Sequence, residues 1–197
     1  MAESEWIDRL SRAIDQAGAV ISRVRPEQTT LPTPCQAWDV RALVNHLVHD
    51  LQQFKAMASG GRYAKDDSDV IDEDWIGTYR AAAGALLEAW SREGALDRTL
   101  HLSMGDVPAT WSVGQQVADV VVHGWDIAKA TGQPTELDPE LGRVALEWGR
   151  ENLKPQFRGD EESGKVFGTE VAVSEDAPVY EQLAGWFGRD PRWTPPD

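Results

Sequence analysis

Cysteine is almost absent. The chain has one, Cys35, in 197 residues, which excludes an internal disulfide framework and leaves a single thiol. Nothing beside it in sequence supplies a depressed pKa, so it reads as a small core residue rather than a nucleophile. Cations are also scarce: 19 Lys and Arg face 33 Asp and Glu, a formal net charge of −14 with a pI near 4.6. Such a surface repels a phosphate backbone, which excludes nucleic acid as a partner class. No uninterrupted apolar run approaches the roughly 18 residues of a membrane span. The N-terminus, Met1-Ala-Glu-Ser-Glu-Trp6, lacks a basic region followed by an apolar core. A soluble, cytoplasmic protein with no membrane partner is expected. Internal repeats and low-complexity linkers are missing too, so one domain is expected over residues 1–197, with a short tail over about 156–197.

What is present is helical periodicity. Trp6, Ile7, Leu10, Ile14, Ala17 and Ile21 recur at helical spacing, which predicts a first helix over residues 4–24, stopped by Pro26. Beyond a Pro-rich connection, Asp39 is placed to cap a second helix. Its apolar stripe is Val40, Val44, Leu47, Leu51 and Phe54, and it ends before Gly60-Gly61. A polar loop over 62–68 leads to a third helix from Ile71 to about Trp90, closed by Gly94, and Leu100 to Pro108 reads as a short hairpin. Ser112-x-x-Gln115 has the form of a capping box and predicts the start of a fourth helix that ends near Gly132. Asp138-Pro139-Glu140 opens a fifth, to about Leu153. A surface excursion over 156–165, extended chain over 166–173 and a last short helix over 177–187 follow. The expected class is mainly α: a four-helix bundle with additional C-terminal helices and short extended segments.

The fourth helix carries the chemistry. Asp119-Val-Val-Val-His123-Gly-Trp-Asp126 puts two carboxylates and an imidazole within a sector of about 60° on a helix turning roughly 100° per residue. Valines cover the rest of its surface, so the polar stripe faces the interior. Burying such groups without partners costs several kcal/mol, which calls for a cation or a compensating network. An acid and a His four residues apart can bind one ion, and bundles complete such sites with a ligand from a facing helix. His46 of the second helix is that candidate, although taken alone it reads as a partly exposed structural residue. Asp126 is then a further ligand, an acceptor orienting an imidazole, or a catalytic base. His49 and Asp50 are weaker candidates, and His101 is expected at the surface.

A site of His46, Asp119 and His123 with an open position suits zinc first and also permits nickel, cobalt or iron. Most of the nine tryptophans are expected as core anchors. Trp125, between His123 and Asp126, is placed at the pocket mouth as a candidate cofactor-binding residue. Three readings follow: a metal-dependent enzyme, a metal- or small-ligand-binding module without turnover whose bundle serves a homodimer, and a structural protein with a solvated polar stripe. The third requires His46 and His123 to lie far apart.

At these residues the chain resembles a known family. The segments are Thr33-Pro-Cys35-x-x-Trp38-x-Val40-x-x-Leu43-x-x-His46-Leu47 and Val120-Val-Val-His123-Gly-Trp125-Asp126-Ile-Ala128-x-Ala-Thr131-Gly132. With Phe167-Gly168-x-x-Val171-x-Val173 and Gly188-Arg189-Asp190-Pro191-x-Trp193 in the tail, they resemble the stand-alone actinobacterial relatives of the mycothiol-dependent maleylpyruvate isomerase N-terminal domain, in the DinB/YfiT-like superfamily of metalloenzymes. The resemblance implies a bundle holding one divalent ion on His46, Asp119 and His123. Asp119 stands where the isomerase has Glu, one methylene longer. The resemblance also implies a low-molecular-weight thiol such as mycothiol as cofactor, an electrophilic small molecule as substrate, and thiol S-transferase or isomerase chemistry. The isomerase draws a catalytic Arg from a separate C-terminal domain, whereas after the fifth helix this chain has a short tail, so maleylpyruvate isomerisation itself is not the expected reaction.

Overall fold

The computed structural model describes residues 3–62, 68–102, 105–159 and 167–196. Among the described residues, six α-helices, one hairpin and two single-turn 3-10 helices at Pro26–Gln28 and Pro155–Phe157 make up its regular structure: α1 Glu3–Ile21, α2 Val40–Ala58, α3 Trp75–Trp90, β1 Thr99–Leu102, β2 Gly105–Pro108, α4 Ala109–Ala130, α5 Pro139–Asn152 and α6 Val179–Trp186. The mainly helical class expected from periodicity is the one observed. Among the described residues, no helix is long and apolar enough to cross a membrane.

Helices α1 to α4 form a closed bundle in which α1 packs on α4 and α3, and α2 packs on α3 and α4. The apolar stripes meet in one continuous cluster that includes Leu10, Leu43, Leu47, Leu86, Val117 and Val121. Two buried polar contacts pin the bundle across its helices. Trp90 Nε1 donates to Gln116 Oε1 at 3.0 Å, and Tyr79 donates its hydroxyl proton to the Ile14 carbonyl at 3.0 Å. Each satisfies a group that would be costly to bury alone. Helix α5 covers α4 from outside, and α6 covers α5.

Helix ends follow their capping chemistry. Asp39 accepts from Ala42 N at 2.8 Å and opens α2 as expected. Gly132, at φ 68°, closes α4 with Gln133 N donating back to the Ala128 carbonyl at 2.9 Å, the left-handed cap that glycine permits. Helix α3 starts four residues later than Ile71, because Asp74 accepts from Gly77 N at 3.0 Å and so sets the first turn.

The capping box expected at Ser112 does not exist. Helix α4 begins at Ala109, directly from the hairpin, and Ala109 N donates to the Arg98 carbonyl at 2.9 Å. The hairpin thus satisfies a helix-terminal donor that a side chain would otherwise cap. Ser112 is fully buried inside the first turns and accepts from Gln116 Nε2 at 3.3 Å.

The hairpin itself is antiparallel with Leu100 opposite Val107, and its turn at 103–104 lies outside the described residues. So do 63–67 of the expected polar loop, and 160–166 of the expected surface excursion and extended chain. The tail folds back along α6, with Val171 N donating to the Gly185 carbonyl at 2.9 Å and Arg189 N to the Ala184 carbonyl at 2.8 Å, and α6 in turn packs on α5 and α4.

Candidate metal centre

The valine-rich face of α4 docks into the core and carries its polar stripe in with it. His123 is 6% exposed and Asp126 0%; Asp119, a turn earlier, is half-buried. His46 stands on the polar edge of α2, facing α4. Its ring centroid lies 5.1 Å from that of His123, so the reading with two distant histidines fails on geometry.

His46 Nε2 lies 3.7 Å from Asp119 Oδ2, and His123 Nε2 lies 3.5 Å from Asp119 Oδ1. Ligand atoms of all three residues fall within 4.8 Å of one another. Tetrahedral coordination with bonds of 2.0–2.2 Å separates ligand atoms by about 3.3–3.6 Å, so this donor set fits a divalent ion with little rearrangement. The other ring nitrogen of His123 also fits. Nδ1 lies 3.0 Å from Asp126 Oδ2 and donates to it, which leaves Nε2 as the ligand atom, the arrangement that orients metal-bound imidazoles.

Four further residues complete the surroundings. Trp38 stacks on His46 with centroids 4.3 Å apart and planes 20° apart, and meets His123 edge-on at 5.7 Å. The turn that places it is held by Thr33, whose hydroxyl lies 2.8 Å from the Trp38 carbonyl and donates to it. Asp50, one turn beyond His46, has Oδ2 at 3.8 Å from His46 Nε2. Cys35 is half-buried rather than a core residue, and its sulfur lies within 4.8 Å of ligand atoms of His123 and Asp126.

Arg189, read in the sequence only as part of the tail motif, was given no role at the site. It is 7% exposed and its Nη2 donates to Asp126 Oδ2 at 3.0 Å, with Nε at 3.3 Å from both carboxylate oxygens. Nη1 donates to the Phe187 carbonyl at 2.7 Å. The short tail thus brings an arginine to the site.

The electrostatics follow from this packing. Burial pushes the Asp119 carboxyl up, but the charge and hydrogen bond of His123, joined by those of His46, hold it well below the usual range. Burial pushes His123 down, and Asp119 and Asp126 together raise it to about 10. Asp126 is pushed up by burial and held low by Arg189 and His123. Asp50 has too little compensation: burial and the neighbouring Asp119 push it up to about 6, against the opposing pull of His46 and His123. Burial pushes the Cys35 thiol up, so nothing activates it as a nucleophile.

The remaining candidates lie elsewhere. His49 is buried with Nδ1 4.0 Å from Asp50 Oδ1. His101 is exposed and pairs with Asp106 across the hairpin at 2.7 Å. Trp125 lies on another face of α4. Its ring lines a cavity of about 390 Å³ with Lys129, Leu137 and Pro178, and none of His46, Asp119 and His123 reaches that cavity.

Fold and site together define a DinB-like helical bundle with a mixed His and Asp candidate metal centre between α2 and α4. The family model of the mycothiol maleylpyruvate isomerase N-terminal domain matches residues 10–128, and the chain belongs to that family. Uncharacterized proteins from two strains of Mycobacterium tuberculosis (CDC 1551 / Oshkosh and ATCC 25618 / H37Rv) are each 35% identical over 183 residues, covering 92% of this chain and 96% of theirs. The crystal structure of the mycothiol-dependent maleylpyruvate isomerase has a similar fold, with TM-score 0.70 at 14% identity, covering 98% of this chain and 91% of that one. A histidine-to-alanine mutant of the same enzyme matches at TM-score 0.64 and 13% identity, covering 83% and 78%. The first match takes in the tail, so α6 and the segment carrying Arg189 belong to the shared fold.

Proposed function

We propose that this chain is a divalent-metal-dependent enzyme acting with a low-molecular-weight thiol such as mycothiol, of thiol S-transferase or isomerase type. The observation that carries the reading is the convergence of His46, Asp119 and His123, with the second nitrogen of His123 anchored on Asp126. Zinc is the first choice for this donor set, and nickel, cobalt or iron are accommodated. When bound, the ion supplies Lewis acidity that favours thiolate over thiol near neutral pH.

The chain's own residues do the rest. Asp126 has both oxygens engaged by Arg189 and one also by His123, so it orients His123 rather than acting as a base. Arg189 keeps that carboxylate ionised. Trp38 covers both imidazoles and keeps water off their shared flank. His46, Asp50 and Asp119 are half-buried, as are Cys35 and Trp38 beside them, and the side on which the three polar groups lie is where we place the entry of small molecules. Asp50 has a carboxyl suited to accept the proton that a thiol gives up as its sulfur bonds an electrophilic carbon. If the substrate's π bond opens, the displaced pair takes the proton back from Asp50 and the sulfur–carbon bond persists, the reaction is a transfer by addition; if the sulfur–carbon bond breaks again after rotation within the adduct and the π bond re-forms, the substrate is isomerised.

The single continuous core supports reading the chain as one domain, and dependence on a reduced thiol fits the cytoplasm. A second reading, a small-ligand-binding module without turnover, is favoured by the cavity beside Trp125, which is separate from the metal ligands. The deciding experiment combines elemental analysis of untagged protein with a thiol-consumption assay across several electrophiles, run with zinc, nickel and no metal. A metal-dependent rate supports the enzyme. Equal rates in all three conditions support the binding module.

A further inference from the structure

The cavity beside Trp125 lies apart from the metal ligands and has the build of a small-molecule site. At about 390 Å³ it falls within the usual size of ligand pockets, about 300–1,000 Å³. Three parts of the chain close it: the C-terminal half of α4, the connection into α5, and the first turn of α6 with Pro191 beyond it. Trp125 and Tyr180 are buried, at 3% and 4% exposure, and form its inner wall. Glu136, Pro139, Pro178 and Glu181 are exposed and mark its mouth, so a solute can reach it.

Lys129 carries the positive charge of this cavity. It is half-buried, its ammonium lies 5.8 Å from the Trp125 ring centroid, and among the described residues it takes part in no ion pair. Asp190 is near enough to feel that charge, but it is already engaged by Arg192, whose Nε and Nη2 lie 3.2 and 3.3 Å from its two carboxylate oxygens. Backbone donors add to Lys129. Helix α6 opens on Pro178, which has no side-chain acceptor to offer as a cap, and no backbone carbonyl accepts from Val179 N or Tyr180 N among the described residues. Both residues line the cavity. An ammonium beside a helix start favours an anion, whereas Leu137, the prolines and the two aromatic rings favour an apolar body.

We propose that this cavity binds a monocarboxylate with an apolar or aromatic body, its carboxylate on Lys129 and its body against Trp125 and Leu137. Charge sets the class. Lys129 is the single cation among the lining residues, and Glu136 and Glu181 at the mouth repel a second negative charge. A cationic ligand is disfavoured, because those two carboxylates are exposed and screened by water, whereas the ammonium is half-buried beside the ligand. None of His46, Asp119 and His123 lines the cavity, so the inference goes beyond the thiol reading of the centre and holds whether or not that centre turns over.

The test is titration calorimetry with hydrocinnamate and with its uncharged counterpart, hydrocinnamyl alcohol, each run with and without zinc. Wild type should bind the acid about tenfold more tightly than the alcohol, the worth of one hydrogen bond to a charged group, and zinc should leave that ratio unchanged. Lys129→Met keeps an apolar stem over Trp125 without the charge and should abolish the preference. Lys129→Arg restores a cation on the same helix position and should retain it. Equal affinity for acid and alcohol in wild type, or binding of neither, overturns the site. A preference that survives Lys129→Met assigns the carboxylate to other donors and overturns the role of Lys129. A preference seen only with zinc places the acid on the ion and overturns the cavity.

Discussion

Arg189 and Asp126 are 63 residues apart in sequence and pair side by side in the interior, with Nη2 at 3.0 Å from Oδ2 and exposures of 7% and 0%. Through this pair the tail is joined to the candidate metal centre, because the same Oδ2 accepts from His123 Nδ1. One carboxylate therefore orients an imidazole and anchors the tail.

Removing one partner of the pair leaves the other charged and buried. Arg189→Ala should therefore destabilise the fold by about 3–5 kcal/mol, read as a shift in the urea midpoint. Asp126→Asn keeps the shape but not the charge, and should also weaken zinc binding by about 10–100-fold, the usual effect of losing an outer partner of a ligating histidine. Unchanged zinc affinity in Asp126→Asn would show that His123 needs no such orientation.

Gly188 sets the backbone that delivers Arg189. Its φ is +85°, and a Cβ there would lie 2.7 Å from Gly168 Cα and 2.8 Å from its carbonyl carbon. Gly188→Ala is thus strained by conformation and by collision with backbone, at about 1–3 kcal/mol. Protease sensitivity of the tail should rise with little change in helical circular dichroism. A tail as resistant as the wild type would count against this account.

Helix spacing made Asp119, His123 and Asp126 legible in sequence, because residues four and three apart must share a face once the segment is helical. Periodicity likewise placed α1, α2 and the hairpin. His46 needed more, since nothing local says which helix faces α4; its place came from the resemblance and from the rule that bundles recruit ligands across helices. Arg189 was beyond reach for another reason. Its partner is 63 residues away, and a loop arginine carries no periodicity to show that it is buried. The error at Ser112 has a similar origin: a capping box is a local pattern, but the hairpin's Arg98 carbonyl took over the capping role from outside it. Trp38 reads as one anchor among nine tryptophans, and only the turn at Thr33 shows that it stacks on a histidine.

Arg12 on α1 ties down the start of α5, pairing with Asp138 and, at 2.9 Å, with Glu140. Burial pushes the Asp138 carboxyl up, but the hydrogen bond from Arg12 and the backbone donors of the helix start bring it below its ordinary 3.8. A depressed folded value means that this contribution is complete above 3.8 and disappears as pH falls through the folded value. Asp138→Asn keeps a capping side chain and removes the charge. Wild type should exceed this variant in melting temperature at pH 6, and the difference should shrink below about pH 4. A constant difference across that range would remove the ion pair from the account.

The metal-free centre holds a proton where the ion would sit. His123 is raised to about 10 by Asp119 and Asp126, so near neutral pH its ring carries protons on both nitrogens: Nδ1–H donates to Asp126 and Nε2–H faces Asp119. Zinc can take Nε2 only when that proton leaves, because the ligand form is the neutral ring. Binding at pH 7 should release about one proton per ion from His123, and affinity should rise about tenfold per pH unit until the raised value is reached. Titration calorimetry in buffers of different ionisation enthalpy counts that proton. The stability of the metal-free protein runs the other way. A raised folded value gives a contribution fully present below the ordinary 6.5 and lost as pH rises through about 10, so the metal-free form should soften on the alkaline side while the zinc-loaded form does not. His123→Ala removes both the proton and a ligand: zinc affinity should fall severely and proton release should cease, with the helical spectrum retained. Tight zinc binding by that variant would place the ion elsewhere and refute the centre.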